Sequence, residues 1–243
     1  MTLVNINREP AVTIARVRQT VFAGSLVLFP LSILTYWLLY PAYGLLDSVA
    51  TLHAIDGHAA RTATADVFVF TGAFLAVPAT LALMRVLDSR SPRLTTIGGA
   101  MHLLGWIAII GVVMGDVIAV EIVRGGTPSA DIVQLYRRIM SSSPVIALNI
   151  IATLHVIGGT MLGVALWRTR VVPRWAAVAA TIAQPVHFVS NILGLFWIDA
   201  MTWIALAAAF GSVARVVLRP SADTAETRVH DDRGAGMPLG ATT

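Results

Sequence analysis

The stretch that decides the fold is GGAMHLLGWIAIIGVVMGDVIAVEIVRGG, residues 98–126. It is longer than the roughly 20 apolar residues that cross a hydrocarbon core. Yet it carries His102, Asp116 and Glu121. A membrane helix that keeps ionisable groups turns them toward protein or enclosed water, because lipid solvates neither.

The rest of the chain has the same character. Of 243 residues, 56% are hydrophobic and 12% charged, whereas soluble domains carry about 25% charged residues. The mean hydropathy is +0.77. Besides 95–123, five further segments are apolar enough to span: about 21–43, 65–87, 144–167, 174–197 and 200–218. The reading is therefore an all-α, multi-pass bundle of six transmembrane helices. The first twenty residues hold Arg8, Arg16 and Arg18, but the apolar run behind them is long enough to span, so no cleavable leader is read. Residues 220–243 are polar and poor in aromatics, and are expected to form a disordered cytoplasmic tail.

All seventeen basic residues are arginine and there is no cysteine. Schiff-base, disulfide and thiolate-metal chemistry are thereby excluded. The pI near 10.3 does not indicate nucleic acid, because the arginines gather at the ends of apolar runs. Arg85, Arg90 and Arg93 fall in the second loop, Arg168, Arg170 and Arg174 in the fourth, and Arg215 and Arg219 after the sixth span. With the basic amino terminus, these place both termini on the cytoplasmic side of a bacterial inner membrane. The third loop opposes the trend with Arg124, Arg137 and Arg138, but Ile132, Leu135, Tyr136 and Ile139 repeat there at helical spacing. A short amphipathic helix is expected, with Thr127 as cap and Pro128 at its first position. A second such helix is expected within 45–56.

Helical geometry groups the polar residues. A separation of fourteen leaves His102 and Asp116 within about 40° of one another, with Trp106, Ile109 and Val113 between them. The fourth span adds Asn149, Thr153 and Thr160. The fifth adds Thr181, Gln184, His187 and Asn191, beside Pro185 and Phe188. The first adds Ser25, Phe29, Ser32, Tyr36 and Tyr43, and the second Asp66, Phe70 and Phe74. These stripes are expected to enclose one polar and aromatic cavity, with Asp116 in its outer half. Asp66 could instead cap its helix, and Glu121 and Asp199 are read as interfacial. His155, off its stripe, is read as an interhelical hydrogen-bond partner. Gly158 and Gly159 are expected to let helices approach closely. Trp37, Trp167, Trp175 and Trp197 are read as interfacial anchors.

Three functional classes remain open. An enzyme could protonate an alkene or epoxide of a lipid-soluble prenyl or terpenoid substrate. Its candidate catalytic residues are Asp116 as acid, His187 as base and Asp66. Its candidate substrate-binding residues are Tyr36, Phe70, Trp106, Asn149, Thr153, Gln184, Phe188 and Asn191, with Asn149 and Asn191 orienting the acid. It would need no cofactor and no metal. A redox protein could instead hold haem or a quinone through His102, His155 and His187. A small transporter or structural membrane partner is the third class. The triplet His53, Asp56 and His58 has metal-ligand character but no fourth ligand beside it. Membrane lipids and a lipid-soluble small molecule are the expected partners, nucleic acid is not, and homo-oligomer formation stays open.

In length, helical character and intramembrane acids, the whole chain resembles the small integral-membrane terpene cyclases of meroterpenoid pathways. The segment RTRVVPRWAAVAATIAQPVHF, residues 168–188, is also similar to uncharacterised six-helix membrane proteins of actinobacteria. The first resemblance implies proton-initiated cyclisation, and the second implies a fold only.

Overall fold

The computed structural model describes residues 8–219. The expected cytoplasmic tail at 220–243 lies outside them. Every element among the described residues is helical: α1 (Arg8–Leu39), α2 (Ser48–Ile55), α3 (Ala59–Leu87), α4 (Pro92–Arg124), α5 (Ala130–Met140), α6 (Ser143–Ala152), α7 (Leu154–Thr169), α8 (Arg174–Ile192) and α9 (Phe196–Val217). Five stretches are long and apolar enough to cross a membrane: Ile14–Leu39, Ala59–Leu87, Pro92–Arg124, Ser143–Thr169 and Phe196–Val217. That is the pattern of a multi-pass membrane protein. Helix α8, with 19 residues, packs beside them.

The long helices close into a ring in chain order. Each packs on the next, α1 on α3, α3 on α4, α4 on α7, α7 on α8 and α8 on α9, and α9 returns to α1. The outer surface of the ring is as apolar as its interior, with Leu28, Val67, Phe74, Leu81, Leu104, Ile107 and Ile204 exposed. A soluble bundle would place charge there; a membrane protein presents these side chains to lipid. Inside, Phe29, Trp106 and Trp203 meet edge to face, with ring centroids 4.8 Å apart for Phe29 and Trp106 and 6.1 Å for Phe29 and Trp203.

Small residues set the tightest contact. Any side chain at Gly158 would strike the backbone of His102 and Gly98, and one at Gly105 would strike the backbone of His155. Helices α4 and α7 therefore touch main chain to main chain, as the glycines of the fourth span lead one to expect.

Several boundaries differ from the sequence reading. Helix α3 starts at Ala59, so Asp66 sits two turns inside it and is not a cap. The first span ends at Leu39 and a turn follows. The last break falls at Leu193–Leu195, earlier than expected, with Gly194 at φ 66°. This puts Asp199 in the first turn of α9. The turn at residues 41–44 packs on this break, because Gly44, at φ 72°, lies against the backbone of Gly194. A side chain on Gly44 would both strain φ and meet that backbone.

The fourth span is one rod broken at Thr153. Its hydroxyl donates to the Ile150 carbonyl at 2.7 Å, and the Val156 amide turns to the Thr153 carbonyl at 3.0 Å. The Ala152 carbonyl, released from the ladder, accepts Nδ1–H of His155 at 2.5 Å instead.

Helices α2 and α5 cover one end of the ring. Asp47 caps α2 by accepting the amides of Val49 and Ala50. Ser129, and not Thr127, caps α5, whose first residue is Ala130 rather than Pro128. Tyr136 of α5 is buried among Leu52, Ile55, Ala119, Val120 and Val123 and donates to the Gly115 carbonyl at 3.4 Å. Burial pushes its hydroxyl pKa up to about 12, so it stays a neutral donor. At the opposite end Arg90 donates to the last carbonyl of α7, that of Thr169, at 3.2 Å.

Candidate functional site

Beneath the end covered by α2 and α5 lies a cavity of about 520 Å³, walled by α1, α3, α4, α6, α7 and α8. That volume is typical of small-molecule sites, which run roughly 300–1,000 Å³. Tyr36, Trp37, Trp106 and Phe188 supply its aromatic walls, and Val69, Ile109 and Val113 its aliphatic ones. Its polar groups are Asp116, Asn149, Thr153, His155, His187 and Asn191. It is not sealed: Leu46, Asn149, Phe188 and Ile192 are exposed at its margin.

Asp116 is held by the last turn of α1 and the residue that follows it. Tyr36 donates to its Oδ2 at 3.1 Å and Tyr40 to its Oδ1 at 2.6 Å. The two phenols stack, with centroids 5.0 Å apart, which fixes both donors. A carboxyl group offers about four lone-pair positions, so two phenols leave room for a proton or a ligand contact. Tyr36 and Tyr40, and not the expected Asn149 and Asn191, orient the carboxyl. Asn149 instead donates to the Val145 carbonyl of its own helix at 2.9 Å.

The same cavity holds a second polar group, whose members the sequence places apart. His187 shares 2.8 Å through Nδ1 with Oδ1 of Asp199, and Tyr43 donates to Oδ2 of the same carboxylate at 3.1 Å. Asp199 is wholly buried, not interfacial. The early break at Gly194 carries it inward, and the Tyr43 turn covers it. A carboxylate accepting at Nδ1 makes Nδ1 the protonated nitrogen and leaves Nε2 a lone-pair acceptor.

His155 also lines the cavity, which its position off the polar stripe did not suggest. It bonds within its own rod rather than between helices. Its Nδ1–H is taken by Ala152, and its buried Nε2 has no hydrogen-bond partner among the described residues. Its ring centroid is 6.1 Å from that of His187.

His102 differs from both. The Thr80 hydroxyl donates to the Ala76 carbonyl at 2.7 Å, so toward Nδ1 of His102, also 2.7 Å away, it can only accept. Nε2 then accepts the indole N–H of Trp106 at 3.2 Å. Both nitrogens of His102 are engaged with protein, and the side chain is buried. Among the described residues no three histidine, aspartate or glutamate side chains cluster as a metal site, and His53, Asp56 and His58 form none.

The remaining expected site residues divide. Tyr36, Trp106, Asn149, Thr153, Phe188 and Asn191 are in the cavity wall. Gln184 is not: it is buried beside His102 and Gly159 in a separate gap too small for a ligand. Phe70 packs on the central core, and Phe74, on its stripe, faces outward. Asp66 is buried behind the wall, within electrostatic reach of Asp116, and its Oδ1 has no partner among the described residues. Trp37 belongs to the cavity and not to the interface, whereas Trp167, Trp175 and Trp197 are exposed. Glu121 is exposed and pairs with Arg124 at 2.6 Å.

No protein-family match was found for the chain, and no curated protein or solved structure matches it.

Proposed function

We propose that this chain is a membrane-embedded terpene cyclase that protonates an alkene or epoxide of an isoprenoid substrate and guides the resulting carbocation to a ring. The observation that carries the reading is one cavity whose wall holds both a tyrosine-held carboxyl and a carboxylate-oriented imidazole. An acid and a base in one wall suit a reaction that needs one proton delivered and another removed. Asp116 gives its proton to the substrate. The cation is passed along π-faces of Tyr36, Trp106 and Phe188. His187 takes a proton from carbon at Nε2 while Asp199 stabilises the imidazolium through Nδ1. The proton then returns to Asp116 by way of water, so substrate and product are isomers. The exposed margin at Phe188 and Ile192 suits entry of an apolar substrate from lipid.

The membrane topology proposed with it has six spans, with α8 as the fifth. That helix runs antiparallel to both neighbours, Gly163 facing Thr181 on one side and His187 meeting Asp199 on the other. Arginine placement then puts both termini in the cytoplasm of a bacterial cell, with the cavity opening toward the other side of the inner membrane.

The test is product formation. Protein purified into lipid nanodiscs is incubated with polyprenyl alkenes and their terminal epoxides, and products are analysed by mass and retention. A cyclic product of unchanged mass is expected. Recovery of every substrate unaltered, while the protein stays folded, contradicts the reading.

A further inference from the structure

The cavity wall carries charge of one sign. It holds the carboxyl of Asp116 and no arginine, and the chain has no lysine. Asp66 stands behind the same wall, 5% exposed, with Oδ1 unpartnered among the described residues. The imidazole of His187, with its proton at Nδ1 facing Asp199, adds no positive charge. Arg61, in the first turn of α3, is exposed and donates to the Leu38 carbonyl at 3.0 Å.

Asp116 is partly open to the cavity. Tyr36 and Tyr40 donate to one of its oxygens each. That pattern suits an ionised carboxylate, which accepts at both oxygens and donates at neither. It is also the form left once the proton has gone to a substrate. A carboxylate in an apolar wall is costly without a counter-charge, and the wall supplies none. A hard metal ion is a poor candidate, because it takes about six to eight oxygen ligands and no three histidine, aspartate or glutamate side chains gather among the described residues. The rest of the wall is aliphatic and aromatic, with Tyr36, Trp37, Trp106 and Phe188 in it. Aromatic rings attract cations and also pack against alkyl groups. An ammonium ion whose protons are replaced by alkyl groups meets both properties, since its charge is weakly hydrated and its surface apolar.

We infer that the cavity binds a lipid-soluble organic cation, an alkylated ammonium whose charge lies between Asp116 and the aromatic wall and whose hydrocarbon part runs toward the exposed margin at Leu46 and Ile192. The inference concerns binding and does not rest on the cyclase reading. It holds or fails whether or not a cyclic product is formed.

Binding to the full chain in an uncharged maltoside detergent tests it, with empty micelles as the blank. Three radiolabelled probes are compared: dodecyltrimethylammonium, its neutral counterpart with carbon in place of nitrogen, and dodecylphosphocholine. The last separates a free organic cation from a choline headgroup, because its phosphate meets a wall with a carboxylate and no arginine. The ammonium should bind at least about tenfold more tightly than the neutral counterpart, and more tightly than the phosphocholine. Asp116→Asn should cut the advantage over the neutral compound to about twofold or less, and Phe188→Leu should reduce it in part. Retained binding of the neutral compound reports an intact cavity in each variant. Wild-type protein that binds ammonium and neutral compound within about twofold, or that prefers the phosphocholine, overturns the inference. So does an asparagine variant that keeps the full preference. Should a variant lose the neutral compound as well, the wild-type ranking alone decides.

Discussion

At the scale of single residues, the molecule separates histidines that look alike in sequence. Thr80 and Trp106 satisfy both nitrogens of His102, while among the described residues His155 and His187 each keep Nε2 without a partner and give Nδ1–H to an oxygen. Thr80→Val should therefore cost about 1–3 kcal/mol by orphaning the His102 N–H. It should lower the unfolding midpoint in detergent and leave the chemistry per folded molecule intact. Asp199→Asn should do the reverse. An amide donor at Nδ1 favours the tautomer with hydrogen on Nε2, so the base is lost and turnover should fall by about 10²–10⁴-fold with little change in ligand affinity. A variant with wild-type turnover would remove His187 as base. Asp116 and His187 could be picked out from the sequence because an intramembrane carboxyl and an imidazole are costly there. Asp199 could not. Two residues from Trp197 and close to a short break, it reads as interfacial, and only the position of Gly194 and the fold of Tyr43 over the turn bury it. The one signal available was the Gly194 of FVSNILGLF, where a helix can end.

At the scale of elements, the helices were legible because apolar length and arginine-rich loops are one-dimensional signals. Their ends were less so. Helix α3 reaches back to Ala59 through the polar stretch before Asp66, and α9 reaches back to Phe196, ahead of the starts expected near 65 and 200. The break at Thr153 was not legible at all, since threonine is common inside membrane helices and the break depends on where its hydroxyl and the His155 imidazole bond. Gln184 shows the limit of the helical-wheel argument. It shares a broad face with His187, but packing against Gly159 turns it to another gap. The α4–α7 contact makes a sharper expectation. Gly158→Leu forces a side chain into the main chain of α4, and should destabilise by about 1–3 kcal/mol or more. Size-exclusion profiles and thermal unfolding would register it, whereas Gly24→Ala, with open space around it, should leave both unchanged.

At the scale of the whole molecule, a closed ring of helices carries one cavity at one end, and topology decides which side of the membrane that end faces. The absence of cysteine makes the question direct. A single cysteine introduced at Ser129, beside the cavity end, should react with an impermeant maleimide added outside intact spheroplasts. A cysteine at Ser91, beside the arginines of the second loop, should react only after lysis. The opposite pattern would invert the proposed orientation while leaving the cavity chemistry untouched. The closed ring could not be read from the sequence, because hydropathy gives the number of helices and not the return of α9 to α1.

The central claim is that Asp116 delivers the proton that starts the reaction. Its most direct measurement compares wild type and Asp116→Asn, each folded in nanodiscs and each loaded with substrate, by product formed in a single turnover. The asparagine oxygen can accept from Tyr40 while its amide N–H donates to the Tyr36 oxygen, so the cavity should keep its shape and bind substrate with similar affinity. The account predicts bound substrate and no cyclic product from the variant. Cyclic product at the wild-type rate would contradict it.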